Sequence, residues 1–380
     1  MRDGDMRITL AFWPLTHFRG EQMIKRDRLV KTFCDLASID SPSGEEEEIA
    51  GYLTGRLEAL GLEVIRDGYG NVIASHGGHN PIMLSAHMDT VEPGRGIKPT
   101  VDGERIVSDG TTILGGDCKA GLSAILEALE SVKEDGASHI PYEVVLTREE
   151  EPGLIGARNL DYSKVSAKEA IVFDGEGPSS RITSASPTYI GFDIEVTGRA
   201  AHAGIEPEKG LSAIRVAAEL ISKLPQGRLD PETTFNVGTI GGGTVRNAVP
   251  ETAAFKGEFR SMNLETLDTV RLQMTEAVNQ VRKMFPEAVI DDHIHTDFET
   301  YTLTDDDPAT RRVKAALQSI GQEPTMEPSG GGTDGNIFRR MGISAVVVGM
   351  ADSNMHTVRE YVTIPDLVDA AHLTEALLRA

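Results

Sequence analysis

The segment at residues 82–89 reads IMLSAHMD, an apolar run that ends in a histidine and an aspartate. A short apolar run of this kind predicts a strand buried on both faces, as in the middle of a parallel sheet. Tyr142–Thr147 and Ala170–Phe173 are similar runs, and acidic residues follow both of them. Because functional sites in α/β proteins form at the carboxyl ends of strands, we predict an α/β domain with a mainly parallel central sheet and a polar site at one sheet edge.

The pattern changes near residue 184, where runs that alternate between apolar and polar residues replace the fully apolar runs. The predicted elements that follow are Tyr189–Thr197, Leu211–Leu224, Phe235–Gly241, Ala253–Ser261, Leu264–Phe285 and Val289–Phe298. Their order is β-α-β-β-α-β, that of a ferredoxin-like α+β unit. A buried strand at Ala345–Gly349 then resembles the earlier apolar runs. We therefore predict that residues 184–302 are inserted into an α/β domain formed by residues 23–183 and 303–380.

The N-terminal segment differs from the rest of the chain. A helical spacing of apolar residues begins only at Arg26–Ala37. Ile8–Phe18 is mildly apolar, but Pro14 and His17 interrupt it and no small-residue cleavage site follows, so a signal peptide is the less favoured interpretation. We predict that residues 1–22 form a mobile extension, and we leave open that translation begins at Met23.

Composition excludes several classes of protein. The chain has 380 residues and a net charge of -22, with 59 acidic against 37 basic residues. Such a charge disfavours binding to nucleic acid or to an anionic membrane surface. The sequence has only two cysteines, too few for a disulfide scaffold, and no apolar run long enough to cross a bilayer. We expect a cytoplasmic protein with no membrane or nucleic-acid partner.

Histidine and acidic residues follow several of the predicted strands or lie in glycine-rich loops. These residues are His87, Asp89, Asp117, Glu150, Glu151, Asp174 and His356. Each is a residue type that binds zinc or harder divalent cations. Any one of them alone is as consistent with an ordinary structural role, such as a turn cap or a solvated loop. Their recurrence at successive strand ends predicts a metal site.

The motifs around these residues resemble those of the M20 metallopeptidases. They are SAHMDTV at 85–91, GGDCKAG at 115–121, EEPGLIGA at 150–157, RAAHAG at 199–204 and NMHT at 354–357. The resemblance extends from Met23 to Ala380. Within the family, TTIL at 111–114, DGEG at 174–177 and GGGTDG at 330–335 are most similar to the peptidase T group, the tripeptide aminopeptidases.

The resemblance implies a zinc-peptidase catalytic domain with two Zn²⁺ ions, for which Co²⁺ or Mn²⁺ can substitute. Asp117 would bridge the ions, His87 and Asp174 would complete one site, and Glu151 and His356 the other. Glu150 would be the general base that takes a proton from the attacking water. Asp89 would orient the imidazole of His87.

The resemblance also assigns roles outside the metal ligands. His202 in the inserted domain would donate to the oxyanion in the active site of a partner subunit, which implies a homodimer formed through this lid domain. We interpret Arg260 as a ligand for the C-terminal carboxylate of the substrate and Asn247 as a donor to its carbonyl. Backbone N–H groups of Gly331 and Gly332 would also face the substrate. For His202, an ordinary loop histidine is the alternative, and for Asn247 and Arg260 it is an ordinary structural hydrogen bond.

One position departs from the family pattern. The family usually has a second acid after the bridging aspartate, joined to it by a cis peptide bond, and here that residue is Cys118. The second acid is not normally a ligand, so we expect the site to survive the replacement. The free thiol is a candidate additional ligand or oxidation target.

These observations favour a dizinc exopeptidase for short peptides, most similar to a tripeptide aminopeptidase. An N-acyl-amino-acid deacylase or a carboxypeptidase of the same family remains an alternative, because each cleaves an amide with the same ligands. A non-catalytic metal-binding protein is a third interpretation. It predicts loss of the base or of a ligand, whereas Glu150 and all five ligand positions are present.

Overall fold

The computed structural model describes residues 24–379, and the predicted extension at residues 1–22 lies outside the described residues. Within this range the helices are α1 (Arg26–Ala37), α2 (Glu47–Leu60), α3 (Gly116–Asp135), α4 (Ile155–Arg158), α5 (Ala213–Ile221), α6 (Leu264–Met284), α7 (Pro308–Ser319), α8 (Asp334–Arg340) and α9 (Ile364–Arg379).

The strands in the same range are β1 (Glu63–Arg66), β2 (Val72–Ser75), β3 (Ile82–His87), β4 (Thr100–Asp102), β5 (Arg105–Val107), β6 (Tyr142–Thr147), β7 (Glu169–Gly175), β8 (Arg181–Ser186), β9 (Thr188–Thr197), β10 (Ala201–His202), β11 (Gly227–Asp230), β12 (Thr233–Gly242), β13 (Ala248–Val249), β14 (Thr252–Ser261), β15 (Val289–Phe298), β16 (Tyr301–Thr302), β17 (Thr325–Pro328), β18 (Ser344–Gly349), β19 (Asp352–Ser353) and β20 (Tyr361–Thr363).

The larger sheet has the strand order β1-β2-β6-β3-β7-β18-β8-β16, with β17 paired to β8. Its central strands β6, β3, β7 and β18 are mutually parallel, and antiparallel strands flank them. The IMLSAHMD segment forms the fully buried strand β3 between β6 and β7. The prediction of an α/β fold with a mainly parallel central sheet is therefore confirmed.

Alternating side chains of β3 enter two different apolar cores. Leu84 packs with residues of α1, α3 and α9 on one face of the sheet, whereas Met83 packs with Phe338 of α8 on the other face. This arrangement follows from the strand geometry, in which successive side chains point to opposite faces. Because both faces are covered, the strand needs a continuous apolar sequence, which is the pattern seen at residues 82–86.

The second sheet lies in the predicted insertion and has the strand order β11-β12-β14-β9-β15, all antiparallel. Helices α5 and α6 cover one face of it and share a separate apolar core. The elements β9, α5, β12, β14, α6 and β15 follow the predicted β-α-β-β-α-β order, and β11 is an additional edge strand. We call this unit the lid.

The large sheet extends slightly into the range predicted for the insertion. β8 continues to Ser186 and β16 begins at Tyr301, and these two strands pair with each other. The chain therefore passes between the two sheets near Pro187 and Thr300, where Thr300 Oγ1 donates to Ser186 O at 2.6 Å. The sequence RITSAS of β8 has no apolar run, so periodicity did not reveal it as a strand. The division into two domains stays a prediction.

A small sheet, β19-β20-β5-β4, lies beside the ends of the large sheet and was not predicted. Its short strands carry no periodic signal, but the loop between β19 and β20 contains His356. None of the helices between residues 24 and 379 has the length and apolar character needed to cross a bilayer.

Candidate active site

The predicted metal ligands converge at the carboxyl ends of the parallel strands. His87 is the last residue of β3, Asp174 lies near the end of β7, and Glu151 lies in the turn after β6. Asp117 lies at the start of α3 with non-helical backbone angles, and His356 lies in the loop between β19 and β20. Parallel strands therefore bring together residues from distant parts of the chain.

The side chains form two groups that share Asp117. In the first group, His87 Nε2 lies 2.9 Å from Asp117 Oδ1 and 3.6 Å from Asp174 Oδ1. In the second, His356 Nε2 lies 3.1 Å from Asp117 Oδ2 and 3.2 Å from Glu151 Oε1. Each oxygen of Asp117 therefore faces a different group, as a bridging carboxylate requires.

Cys118 also belongs to the first group, because its Sγ lies within 4.8 Å of the other candidate donor atoms. The same thiol donates a hydrogen bond to Phe173 O at 2.5 Å. The peptide bond between Asp117 and Cys118 is cis, as the resemblance implies.

The donor set fits a pair of divalent cations. Two imidazole nitrogens and several carboxylate oxygens surround two neighbouring points, a combination that suits zinc and its common substitutes. Glu151 Oε1 is buried and accepts no hydrogen bond, although the imidazole of His356 lies close to it. A buried carboxylate oxygen in this state costs free energy unless a cation or proton compensates it.

The acid–base properties of the site indicate the same need for positive charge. Burial, together with the charge of Asp174, raises the pKa of Glu150 well above its usual value. Burial likewise raises the pKa of Asp174 to about 8. The hydrogen bond to Asp117 and the nearby carboxylate of Glu151 raise the pKa of His356 to about 10. Without cations the site therefore favours bound protons, which divalent cations would replace.

Asp89 contacts His87, which it is predicted to orient, and it also binds three other residues near the site. His87 Nδ1 lies 2.9 Å from the backbone oxygen of Asp89 and 3.4 Å from its carboxylate. The carboxylate also accepts hydrogen bonds from Ser43 Oγ at 2.6 Å, Glu150 N at 2.9 Å and Glu151 N at 3.3 Å. Asp89 thereby connects the end of β3 to the loop that carries Glu150.

Two adjoining cavities open over these groups. One, of about 370 Å³, is lined by Asp117, Asp174 and residues of β8 and β17. The other, of about 250 Å³, is lined by lid residues that include Tyr189 and Arg260. Both cavities are lined by Glu150, Glu151, Gly331, Gly332 and His356. Arg260 Nη1 also donates to Gly330 O at 3.1 Å, so a lid side chain contacts the loop beside the candidate metal site.

Not every predicted site residue lies at these cavities. His202 and Asn247 line neither of them and are exposed on the lid. They lie close together in the two-stranded ribbon of β10 and β13, where Ala203 N donates to Asn247 O at 3.0 Å. Within one chain, the structure therefore separates these two residues from the metal-ligand candidates.

Three acidic residues without a role assigned from the sequence lie near the site. Asp297 lines the smaller cavity, and buried Asp334 accepts a hydrogen bond from Thr147 Oγ1. Glu360 accepts hydrogen bonds from the backbone that leads to Asp117. Glu360 follows His356 by four residues, which was its only signal in the sequence. Asp334 lies within the GGGTDG motif at 330–335, whereas Asp297 has no distinctive spacing.

Comparisons with known proteins agree with this geometry. The family model described as a peptidase dimerisation domain of the M20 peptidases matches residues 185–284. The uncharacterized protein YqjE of Bacillus subtilis is 36% identical over 373 residues, which cover 94% of this chain and 99% of that protein. Among solved structures, aminopeptidase PepT from Bacillus cereus is 37% identical with a TM-score of 0.79. A tripeptidase from Staphylococcus aureus is 31% identical with a TM-score of 0.84.

Both solved structures align with 94% of this chain and 98% of their own. Fold, candidate site and full-length similarity therefore agree. The chain belongs to the M20 family of metallopeptidases and is close to peptidase T. The α/β fold with its mainly parallel central sheet and the match to a dimerisation domain agree with membership of this family.

Proposed function

We propose that this protein is a dizinc exopeptidase that hydrolyses short peptides and acts as a tripeptide aminopeptidase. The observation that carries the proposal is the shared carboxylate of Asp117, whose two oxygens face His87 and His356 in separate groups. Support for the substrate class comes from the two full-length structural relatives, which are described as an aminopeptidase and a tripeptidase.

The chain's own residues would hold the two ions as one shared and four separate ligands. His87 and Asp174 would hold one ion, Glu151 and His356 would hold the other, and Asp117 would contact both. Divalent cations bound there supply Lewis acidity that polarises the peptide carbonyl and makes water a stronger acid. Zinc is the proposed metal, and cobalt or manganese are proposed substitutes.

Glu150 is the proposed general base. Its side chain is buried at the junction of both cavities, and its backbone N–H is anchored to Asp89. The carboxylate takes a proton from the water that attacks the amide carbon, and the same proton then passes to the departing amine as the C–N bond breaks.

Arg260 is the proposed ligand for the C-terminal carboxylate of the substrate. Its guanidinium packs over the ring of Tyr189, 4.6 Å from the ring centroid, at the wall of the smaller cavity. Glycine backbone N–H groups are proposed to contact the peptide beside it. Gly331 N already donates to Ser329 Oγ at 3.0 Å, which leaves Gly332 as the better placed of the two.

One wall of the larger cavity favours a peptide with a free amino terminus over an acylated substrate. Glu176 and Glu327 line the larger cavity, and Arg181 between them lies 3.0 Å from Glu327. Two carboxylates against one guanidinium leave a net negative wall, which attracts an ammonium group. This observation favours an aminopeptidase over the N-acyl-amino-acid deacylase and carboxypeptidase alternatives.

A homodimer formed through the lid is proposed as the active form. Its support is the match to a dimerisation domain and a set of exposed apolar lid residues. These are Ile205, Ile240, Val245, Leu264, Leu272 and Val289. In such a dimer His202 of one subunit would donate to the oxyanion in the site of the other, and Asn247 would donate to the substrate carbonyl. A cytoplasmic location also remains a prediction.

Hydrolysis assays with a matched substrate panel test the proposal. Tripeptides, dipeptides and N-acetyl amino acids of the same side chains are compared after the metal-free protein is loaded with zinc, cobalt or manganese. We expect kcat/KM to be highest for tripeptides, by at least about tenfold over acetylated substrates, the effect of one charge-assisted hydrogen bond. Preference for acetylated amino acids would replace this proposal with the deacylase alternative. No hydrolysis with any metal would contradict both.

A further inference from the structure

The carboxylate of Glu360 collects backbone hydrogen bonds from the loop that precedes α3. Its Oε2 accepts from Leu114 N at 2.6 Å and from Gly115 N at 2.9 Å, and its Oε1 accepts from Asp117 N at 3.2 Å. All of these groups are buried. Charge-assisted bonds of this kind are stronger than bonds between neutral groups. One side chain therefore fixes the backbone position of the shared ligand.

The loop has little freedom to present Asp117 in another way. Gly115 has a φ of +72°, in the left-handed region that favours glycine. A Cβ atom on Gly116 would lie 2.6 Å from Oδ1 of Asp352, so the backbone packs directly against that side chain. The hydrogen bonds to Glu360 hold the loop in place, and the side chain of Asp352 leaves no room for a side chain at Gly116.

Glu360 also belongs to the turn that carries His356. Its backbone N–H donates to Thr357 O at 3.0 Å, which closes the turn between the two residues. His356 itself has a φ of +61°, and its side chain is half exposed. Few neighbours therefore hold this imidazole in place. The turn connects it to Glu360 and, through that carboxylate, to the loop of Asp117.

We propose that Glu360 is a positioning residue that fixes Asp117 and His356 relative to each other. In this arrangement one oxygen of Asp117 faces the His87 group and the other faces the His356 group. The inference rests on the proposed metal site and adds a residue that contacts neither ion. Residues that orient metal ligands typically change metal affinity by about 10–100-fold when they are replaced. A purely structural role for Glu360 would change stability without this loss of affinity.

The chain offers a matched control in Glu143. Both glutamates are only 2% exposed. The carboxylate of Glu143 accepts from Ser166 N, Ser166 Oγ and Ala167 N at 2.8–3.1 Å. It lies near the start of β6, at the opposite end of that strand from the candidate site. Replacing Glu143 therefore removes a similar set of buried hydrogen bonds far from the metal ligands.

The test compares E360Q and E143Q in the full-length protein. Zinc is titrated into each metal-free variant in competition with a chromophoric chelator, and thermal unfolding of the metal-free forms is recorded. We expect both variants to unfold at lower temperature, because an amide presents an N–H₂ group to backbone N–H donors. Only E360Q should bind zinc at least about tenfold more weakly. D117N, which lacks the shared ligand charge, is the positive control and should lose both ions.

Zinc affinity of E360Q within twofold of wild type would overturn the proposal, and so would an equal loss of affinity in E143Q. If wild type binds no zinc, the metal site and this inference fail together. E360D covers the case in which E360Q does not fold. It keeps the charge but withdraws the carboxylate by one methylene, so we expect the same weakening of zinc binding. Wild-type affinity in E360D would overturn the proposal.

Discussion

The candidate metal site and the β10–β13 ribbon of the lid hold their histidines in opposite ways. His87 is buried, and both of its ring nitrogens have partners within the chain. His202 is exposed, and Gly204 N is the neighbour that donates to its Nδ1, at 3.2 Å. The first histidine is oriented by its own fold before any ligand arrives. The second has an open side, so in its proposed catalytic role another surface would have to orient it.

Glu150→Gln tests the candidate metal site, and it carries the largest expected effect. The amide keeps the size of the side chain but cannot accept the proton of the attacking water, so we expect kcat to fall by about 10²–10⁴-fold. Both ions should remain bound, because Glu150 is not a proposed ligand. Metal content measured on the variant and on wild type separates the two effects. A variant with near-normal kcat would show that another group is the base.

His202→Ala tests the β10–β13 ribbon of the lid. Loss of an oxyanion donor should lower kcat by about 10²–10³-fold with little change in metal content. Mixing this variant with Glu150→Gln then asks where His202 acts. If it acts in the partner's site, a mixed dimer has one intact site, and random exchange should restore about a quarter of wild-type activity. Subunit exchange demonstrated by mass, without recovery of activity, would contradict action between subunits and the reason for expecting this dimer.

Arg260→Lys tests the lid residue that lines the smaller cavity, and its expected effect is the smallest of the three. Lysine keeps the charge but loses the planar, two-pronged contact with a carboxylate. We expect KM for tripeptides to rise about tenfold, the value of roughly one charge-assisted hydrogen bond. A tripeptide with an amidated C-terminus lacks the carboxylate, so its kinetics should change little between wild type and variant. Equal effects on both substrates would assign Arg260 a structural role.

Sequence patterns located most elements because burial is periodic along a strand or helix. The predicted bounds of α1, β6 and β15 agree with the structure, and most of their apolar residues enter the cores. Prediction failed where strands are short or polar, as in β8 and the β19–β20 pair that surrounds His356. Such strands are held by their neighbours in a sheet, and their own residues carry no pattern.

The sequence by itself determined the fold class and the set of candidate ligands. An apolar run followed by an acidic residue or a histidine is a local feature, and it can be recognised without knowing how distant segments pack. Only the tertiary structure decided how the two oxygens of Asp117 are divided between two groups. It also decided that Arg260 reaches the pocket while His202 and Asn247 do not. Glu360 became visible for the same reason, since its contact with Asp117 joins residues 243 positions apart. Hydrogen bonds of that range depend on packing of the whole chain, which local periodicity does not record.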